Sequence, residues 1–282
     1  MTKLRKKKLK LKQSQRIKTL VLITGLLICC CIVSALLVVI NNTDTNKFEV
    51  KSRIKAIEKE KKKDKKDLGY ETIAWLRVQG TNIDTPIIGY DNVTALDKIE
   101  KADYAWNSNN KEKLFNQVSI SGHNILNLSK QPLIGKEYFS RFDDLMAFVY
   151  EDFVAENKHI QYTINGEDYV YKIFGVFFDR SHKLDLRHKE NYTKEETRTY
   201  LDRIEELNVY DFDIDVDESD KIITLTTCTR MLGQYDKRQL VVVGRQLREN
   251  EKLNNYESKA NKNYEEIRKI VEGDEENAKS KA

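Results

Sequence analysis

One cysteine of this sequence stands where a reactive thiol would be useful. Cys228 follows a strand-like run of apolar and hydroxyl residues, Ile222–Thr227, whereas Cys29, Cys30 and Cys31 lie together in an apolar stretch near the N-terminus. Outside that stretch Cys228 has no second cysteine with which to form an intrachain disulfide. A single thiol at the end of a strand is a candidate nucleophile, and the alternative is an inert structural cysteine.

A nucleophilic thiol needs a base or a positive charge beside it, because the thiolate is the attacking species. His123 is the favoured partner among the four histidines of the chain. It follows the strand-like run Val118–Ser121 within Gly122-His123-Asn124, where the glycine permits an exposed turn at the end of a strand. The other three histidines open a strand or lie in a basic loop, and periodicity alone does not decide between them.

The reaction of a thiolate with a carbonyl also needs a group that stabilises the oxyanion. Two arginines follow the cysteine within ten residues, Arg230 and Arg238. Arg238 lies just before the strand-like run 240–247, and it comes back beside Cys228 if that run pairs antiparallel with residues 221–227. Arg230 would then lie in the connecting loop. A guanidinium suits a carbonyl oxygen or its anion, and a solvated surface position is the alternative for each arginine.

The elements that would position these residues are mostly strands with helices between them. Asn165-Gly166 separates two runs rich in β-branched and aromatic residues, which predicts a hairpin with a type I′ turn. The segment Thr193–Leu207 is the best helix, because Thr193 and Glu196 form a capping box. Further strands are predicted at 74–78, 83–88, 118–121, 221–227 and 240–247. This order of elements favours a β-barrel over a βαβ sheet.

Several of these features together resemble the sortases. The run Thr224-Leu225-Thr226-Thr227-Cys228 is followed ten residues later by Arg238 and preceded by Gly122-His123-Asn124, which is similar to the motifs of that family. The spacing from the cysteine to the arginine resembles class B, as do the helix before the cysteine strand and the segment Trp75–Ile87.

The resemblance covers about residues 68–247, and two segments depart from it. The stretch Ala102–Phe115 does not align clearly with the family pattern, and the chain after Leu247 is longer than that pattern. Both segments could influence substrate selection, and neither includes the three candidate catalytic positions.

The resemblance implies a mostly β fold. Its core is a closed eight-stranded sortase barrel with additional N-terminal helices and a helix inserted before the strand of the catalytic cysteine. It also implies a cysteine transpeptidase, in which Cys228 attacks a sorting-signal peptide after Thr and forms a thioester. His123 then acts as general acid and later as base, Arg238 holds the substrate carbonyl, and Thr226 and Thr227 line the peptide groove. Neither a cofactor nor a metal is expected.

The implied partners are a peptide and an amine. The peptide is the sorting signal of a secreted surface protein, and the amine of a peptidoglycan precursor would accept the acyl group and attach that protein to the cell wall. A pilin-polymerising enzyme that uses a Lys amine remains an alternative, because the chemistry around Cys228 is the same. A hydrolytic cysteine peptidase and a non-enzymatic surface binding module are further alternatives. A papain-like enzyme is excluded because its cysteine lies near the mature N-terminus.

The charge of the chain is concentrated at its N-terminus. Residues Met1–Lys18 hold nine basic residues and no acidic one, and without them 40 basic residues face 45 acidic ones. The folded part therefore has no basic excess of the kind that nucleic-acid-binding proteins show. The uncharged run Leu20–Ile40 is long enough to span a membrane. Its basic flank predicts a cytoplasmic N-terminus and an extracellular domain, as in a single-pass bacterial surface protein. The resemblance to the sortases implies the cell membrane of a Gram-positive bacterium.

These observations divide the chain into five segments. They are a basic cytoplasmic tail (1–19), a transmembrane signal anchor (20–40), a charged juxtamembrane linker or helix (41–67), the catalytic domain (68–248) and a polar C-terminal tail (249–282). The weakly helical stretch 264–271 is the one element predicted within that tail.

Four acidic residues could suggest a calcium loop, namely Asp211, Asp213, Asp215 and Asp217. An EF-hand loop needs glycine at its sixth position and glutamate at its twelfth, and this segment has neither. The short spacing of cysteines and histidines that zinc requires is also missing. A strand with one acidic, solvated face is the better interpretation.

Overall fold

The fold is seen in a computed structural model of the chain, which describes residues 24, 52–60, 72–89, 105–107, 116–124, 141–179, 191–232, 238–253 and 256–279. The chain divides into two compact units, Met1–Ser52 and Arg53–Ala282, and the barrel belongs to the second. Apart from Thr24, the predicted membrane anchor lies outside the described residues. No helix among the residues described is both long and apolar enough to cross a membrane.

The strands of the described residues are β1 Thr72–Val78, β2 Asp84–Gly89, β3 Ala105–Asn107, β4 Gln117–Gly122, β5 His159–Ile164, β6 Glu167–Asp179, β7 Tyr210–Phe212, β8 Ile222–Thr229, β9 Arg238–Gln246 and β10 Ser258–Ala260. Eight of them close into a barrel in the order β1-β2-β3-β4-β8-β9-β6-β5, and β7 pairs with β10 in a separate small sheet. Neighbouring strands of the barrel are antiparallel except for the parallel pairs β2–β3 and β4–β8. The closed eight-stranded barrel predicted from the sequence is confirmed.

Helices occur before, between and after these strands. Residues 52–60 are helical (α1), and the others are α2 Glu151–Glu156, α3 Lys194–Leu207, α4 Glu265–Lys279 and the 3₁₀ helices Arg141–Val149 and Lys262–Tyr264. α3 is the predicted inserted helix. Its capping box is confirmed, because Thr193 Oγ1 accepts a hydrogen bond from the Glu196 amide and the Glu196 carboxylate accepts one from the Thr193 amide.

The predicted hairpin between β5 and β6 is also confirmed. Asn165 and Gly166 both have positive φ angles, of 54° and 77°. A type I′ turn requires this conformation at both central residues, and asparagine and glycine adopt it most easily. Ile164 and Glu167 pair directly across the turn.

Alternation along β8 and β9 divides their side chains between two apolar clusters. The inward-facing residues Ile223, Leu225, Leu240 and Val242 belong to the core of the barrel. The outward-facing residues pack with α3 in a second cluster, which includes Ile222, Val241, Val243, Tyr200, Leu201 and Ile204. Burial of each such side chain stabilises the fold by about 1.5–3 kcal/mol. The inserted helix is thereby fixed against the strand that carries Cys228.

The 3₁₀ helix Arg141–Val149 packs into the core of the barrel. Every side chain from Phe142 to Val149 is buried, and two of them are acidic, Asp143 and Asp144. The Asn82 amide donates a hydrogen bond of 2.7 Å to Asp144 Oδ2. Burial raises the pKa of the Asp144 carboxyl, although this hydrogen bond opposes the shift.

The first part of the C-terminal segment, residues 256–271, is folded onto the barrel. Tyr264 and Ile267 are buried in the main core, and Tyr264 Oη donates a hydrogen bond of 2.8 Å to the Val149 carbonyl. The side-chain amides of Asn261 and Asn263 donate to carbonyls at the end of α3. The sequence predicted a polar tail with one helical stretch, whereas the structure has a longer helix whose first turns are part of the folded unit.

The buried Asp144 carboxyl predicts a pH-dependent stability. A carboxyl whose pKa is raised in the folded state binds more protons there than in the unfolded chain, so it contributes a loss of stability as pH rises from about 4 through the raised pKa. Asp144→Asn removes this titration. We expect the stability of the unmodified protein to fall relative to Asp144→Asn as pH increases. The fall should be about 1.4 kcal/mol for each tenfold difference in the acid dissociation constant between the folded and unfolded states.

Urea unfolding of the purified protein at several pH values measures this difference. Asp152→Asn is a suitable control, because Asp152 is exposed on α2. A stability difference between the protein and Asp144→Asn that does not change with pH would refute the assignment.

Candidate active site

Three of the predicted site residues come together at one end of the barrel. β4 ends at Gly122, immediately before His123, and β8 ends at Thr229, immediately after Cys228. β4 and β8 are parallel, with Gly122 opposite Thr227. β9 runs antiparallel to β8 and begins at Arg238, so the predicted return of Arg238 to the neighbourhood of Cys228 is confirmed.

Cys228 is exposed although β8 is otherwise buried. Successive side chains of a strand point to opposite faces of the sheet. The odd-numbered residues of β8, such as Leu225, point into the core, so Cys228 lies on the outer face. His123 lies one residue beyond the Gly122–Thr227 pair, as does Cys228. Continuing the parallel register by that one residue places the imidazole on the same face as the thiol. His123 is half-buried there.

Two hydrogen bonds connect the segments that carry the histidine and the cysteine. Thr227 Oγ1 donates to the Gly122 carbonyl at 2.8 Å. Asn124 Nδ2 donates to the Cys228 carbonyl, also at 2.8 Å. One of these hydrogen bonds lies before His123 and Cys228 along the strands, and the other lies after them. Together they fix the distance between the backbone that carries His123 and the backbone that carries Cys228.

Close packing beneath the histidine explains the glycine before it. A Cβ atom at Gly122 would lie only 2.2 Å from Cγ of Phe142, on the 3₁₀ helix. No larger residue fits unless that aromatic ring moves. The core therefore determines how closely the His123 segment approaches the 3₁₀ helix.

Arg238 has a different environment from Cys228. Its side chain is 6% exposed, and Nη1 lies 3.8 Å from the Glu266 carboxylate of α4, which is 60% exposed. Arg238 pairs with Thr229, whereas Gln239 pairs with Cys228. Alternation along β9 therefore puts the Arg238 side chain on the same side of the sheet as Leu240, which belongs to the core, and not on the face of Cys228. A cavity of about 410 Å³ adjoins this arginine and is lined by Phe178, Leu207, Leu232, Ile267 and others. The guanidinium thus lies against the C-terminal segment.

The other residues predicted near the site have distinct positions. Arg230 is exposed directly after β8. Thr226 and Thr227 are both buried, at 6% and 1% exposed, and the Thr227 hydroxyl is bound to the Gly122 carbonyl. The Thr227 side chain therefore joins two strands. A role for either threonine in a peptide groove stays a prediction.

Sequence reasoning missed three contributors to this site. The motif around His123 includes Asn124 but does not indicate its contact, Phe142 lies in a segment with no regular periodicity, and Glu266 reaches Arg238 from a region predicted to be a polar tail. The spacing of Tyr264, Ile267 and Val271 along one helical face was the signal that this region packs against something.

Two of the four aspartates considered for calcium form ion pairs with an arginine. Arg248 lies 2.7 Å from Asp215 and 3.2 Å from Asp217, and it also pairs with Asp220 at 2.7 Å. The predicted acidic strand is short, because β7 ends at Phe212. Within the described part of the chain, no group of three or more His, Cys, Asp or Glu residues is arranged to hold a metal ion.

Comparisons with known proteins agree with this geometry. Residues 76–246 match the family model described as the sortase domain. The chain is 29% identical over 196 residues to sortase B of Listeria monocytogenes, covering 65% of this chain and 72% of that protein.

Two solved structures share the fold. A cysteine-to-serine mutant form of sortase B from Clostridium perfringens has a TM-score of 0.55 at 24% identity, over 70% of this chain and 90% of that one. A sortase B–substrate complex from Staphylococcus aureus has a TM-score of 0.53 at 15% identity, over 74% of this chain and 97% of that one.

The Thr227 hydroxyl yields a prediction about stability. Thr227→Val keeps the shape of the side chain and removes the donor to the Gly122 carbonyl, which should cost about 1–3 kcal/mol because that carbonyl is buried. Thr227→Ser keeps the hydroxyl and should cost less. Chemical denaturation of both variants tests this, and equal stabilities for the valine and serine variants would contradict the assigned hydrogen bond.

Proposed function

The chain belongs to the sortase family, and from that premise we propose that it is a class B cysteine transpeptidase whose nucleophile is Cys228. The observation that carries this proposal is the exposed thiol near the end of β8, with His123 at the same level, one residue beyond the end of β4. A thiol and an imidazole held on one face of a rigid sheet are the two groups that acyl transfer through a thioester requires.

The proposed first half-reaction transfers an acyl group to sulfur. The Cys228 thiolate attacks the carbonyl carbon of a threonine in the sorting-signal peptide, and a tetrahedral oxyanion forms. The oxyanion collapses, the peptide C–N bond breaks, and the His123 imidazolium gives its proton to the departing amine. The product is a thioester between the peptide and Cys228.

The second half-reaction returns the enzyme to its starting state. An acceptor amine enters as the neutral imidazole of His123 removes its proton. The amine nitrogen attacks the thioester carbon, the C–S bond breaks, and a new amide leaves. Arg238 is the proposed group that holds the substrate carbonyl and its oxyanion, since a guanidinium provides several fixed donors. Thr226 and Thr227 are the proposed groove residues.

The proposed substrate is a sorting-signal peptide of a secreted surface protein, with a peptidoglycan-precursor amine as acceptor. The S. aureus sortase B mentioned above was solved as a complex with a substrate, which supports a peptide groove in this fold. Polymerisation of pilins through a Lys amine is the second candidate, since it needs the same two half-reactions. Hydrolysis of the thioester by water would make the same site a peptidase.

We also propose that residues 20–40 anchor the enzyme in the cell membrane. The N-terminal basic tail would then be cytoplasmic, and the barrel would lie outside the cell, where sorting signals are displayed. The uncharged length of this run and the basic residues before it support the proposal.

An acyl adduct on Cys228 is the decisive test. The purified protein is incubated with a panel of sorting-signal peptides and examined by intact mass spectrometry. We expect an adduct that an added amine releases as a new amide, and no adduct with Cys228→Ala. His123→Ala and Arg238→Ala should form it on the order of 100-fold more slowly or worse, because each removes a group that acts in the transition state. Arg230→Ala should have a mild effect.

Other outcomes would favour the alternatives. An adduct released only by water, even with amines present, indicates a peptidase. No adduct with any peptide, together with a Cys228 thiol that resists alkylation, indicates a binding module. An essential Arg230 and a dispensable Arg238 would reverse the assignment of the arginines.

A further inference from the structure

We propose that Asn124 is a positioning residue for the Cys228–His123 pair, acting through the hydrogen bond from its side-chain amide to the Cys228 carbonyl. This inference rests on the proposed function and adds a residue whose role lies outside the transfer chemistry itself. Asn124 follows His123 directly, so one side chain connects the histidine segment to the backbone of the nucleophile.

The contact is short and sheltered from water. Asn124 Nδ2 lies 2.8 Å from the Cys228 carbonyl oxygen, and Asn124 is 6% exposed. A hydrogen bond in such a place has little competition from solvent, so it restrains geometry more strongly than a surface contact does.

The hydrogen bond from Asn124 lies just beyond the end of the backbone pairing between β4 and β8. β4 ends at Gly122, and backbone pairing with β8 is seen as far as Gly122 and Thr227. His123 and Cys228 lie one residue past that pair, where the backbone ladder has ended. The Asn124 amide supplies a cross-strand hydrogen bond at this level. It thereby continues the restraint of the sheet up to the reacting groups.

The restraint acts on the direction of the thiol. The carbonyl of Cys228 belongs to the peptide plane that joins Cys228 to Thr229, and this plane is rigid. Holding its oxygen limits rotation about the Cys228 backbone, and so limits the direction in which the Cys228 Cβ–Sγ bond points. Thr229 pairs with Arg238, so the same plane also links the cysteine to the arginine strand. Nucleophilic attack is sensitive to displacements of about 1 Å.

The chemistry of the bond suggests a specific substitution. Asn124→Asp has nearly the same shape, but an ionised carboxylate cannot donate and its oxygen repels the carbonyl. A protonated carboxyl can donate. The aspartate variant should therefore recover function as pH falls, whereas Asn124→Ala cannot donate at any pH.

Asn208 provides a matched control. It is also a buried asparagine, 9% exposed, and its side-chain amide donates to the Phe174 carbonyl at 3.0 Å. Its Oδ1 atom accepts a hydrogen bond from the Val176 amide. Asn208 lies after α3, so Asn208→Ala should lower stability without altering the acylation chemistry.

The test uses the full-length protein in detergent, with the rate of Cys228 acylation by a reactive sorting-signal peptide measured between pH 5 and pH 8. At pH 7.5 we expect Asn124→Ala and Asn124→Asp to be on the order of 10-fold slower than the unmodified protein at saturating peptide, with KM changed less than about 3-fold. Asn208→Ala should keep its acylation rate within about 2-fold. Melting temperatures establish that each variant is folded.

The pH profile separates positioning from simple destabilisation. Dividing each variant's rate by that of the unmodified protein removes the pH dependence that the two proteins share. We expect this ratio to rise toward 1 at low pH for Asn124→Asp and to stay constant for Asn124→Ala. A constant ratio for both variants, or a rate for Asn124→Ala equal to that of Asn208→Ala, would overturn the inference and leave the proposed function intact. No acylation of the unmodified protein would overturn both.

Discussion

The parallel pairing of β4 with β8 is the constraint on which the site depends. It is one of two parallel pairs in a barrel that is otherwise antiparallel. Parallel neighbours finish at the same edge of a sheet, so the residue after β4 and the last residues of β8 must emerge together. β9 then returns antiparallel from that edge and starts with Arg238. In the closed barrel, Cys228, His123 and Arg238 therefore all lie at this one end of the sheet.

Side chains rather than backbone complete this arrangement at the rim. The ladder between β4 and β8 stops at the Gly122–Thr227 pair, and the hydroxyl of Thr227 and the amide of Asn124 hold the strands together around that point. From below, the ring of Phe142 leaves room only for a glycine at position 122. Cys228 and His123, the residues proposed to react, are thus confined by groups that take no part in the proposed bond making or breaking.

The elements that local patterns determine were predictable, and the contacts that tertiary packing determines were not. The capping box of Thr193 and the Asn165-Gly166 turn are set by residues within four positions of one another, and both were confirmed. The approach of Arg238 to Cys228 followed from strand direction alone. The contact of Glu266 with Arg238 joins a helix to a strand across the fold. The apolar spacing around Glu266 indicates that this helix packs against the fold, but it does not indicate which strand the helix meets. The burial of the 3₁₀ helix could not be predicted from the sequence either, because Asp143 and Asp144 interrupt the spacing of its apolar residues.

The distance along the chain between the two halves of the site has a consequence for when the enzyme becomes active. Gly122 and Thr227 are 105 residues apart in sequence yet joined by a hydrogen bond. Closing so long a loop costs conformational entropy before the contact it allows is gained, which slows folding. β8 can pair with β4 only after the β5–β6 hairpin and α3 have been synthesised between them. Until that pairing occurs, Cys228 is an ordinary thiol on an unfinished chain. In the mechanism proposed for Cys228, pairing of β4 with β8 would be the step that brings the thiol and the His123 imidazole to one level, so a newly made chain would acquire its reactivity only as the barrel closes.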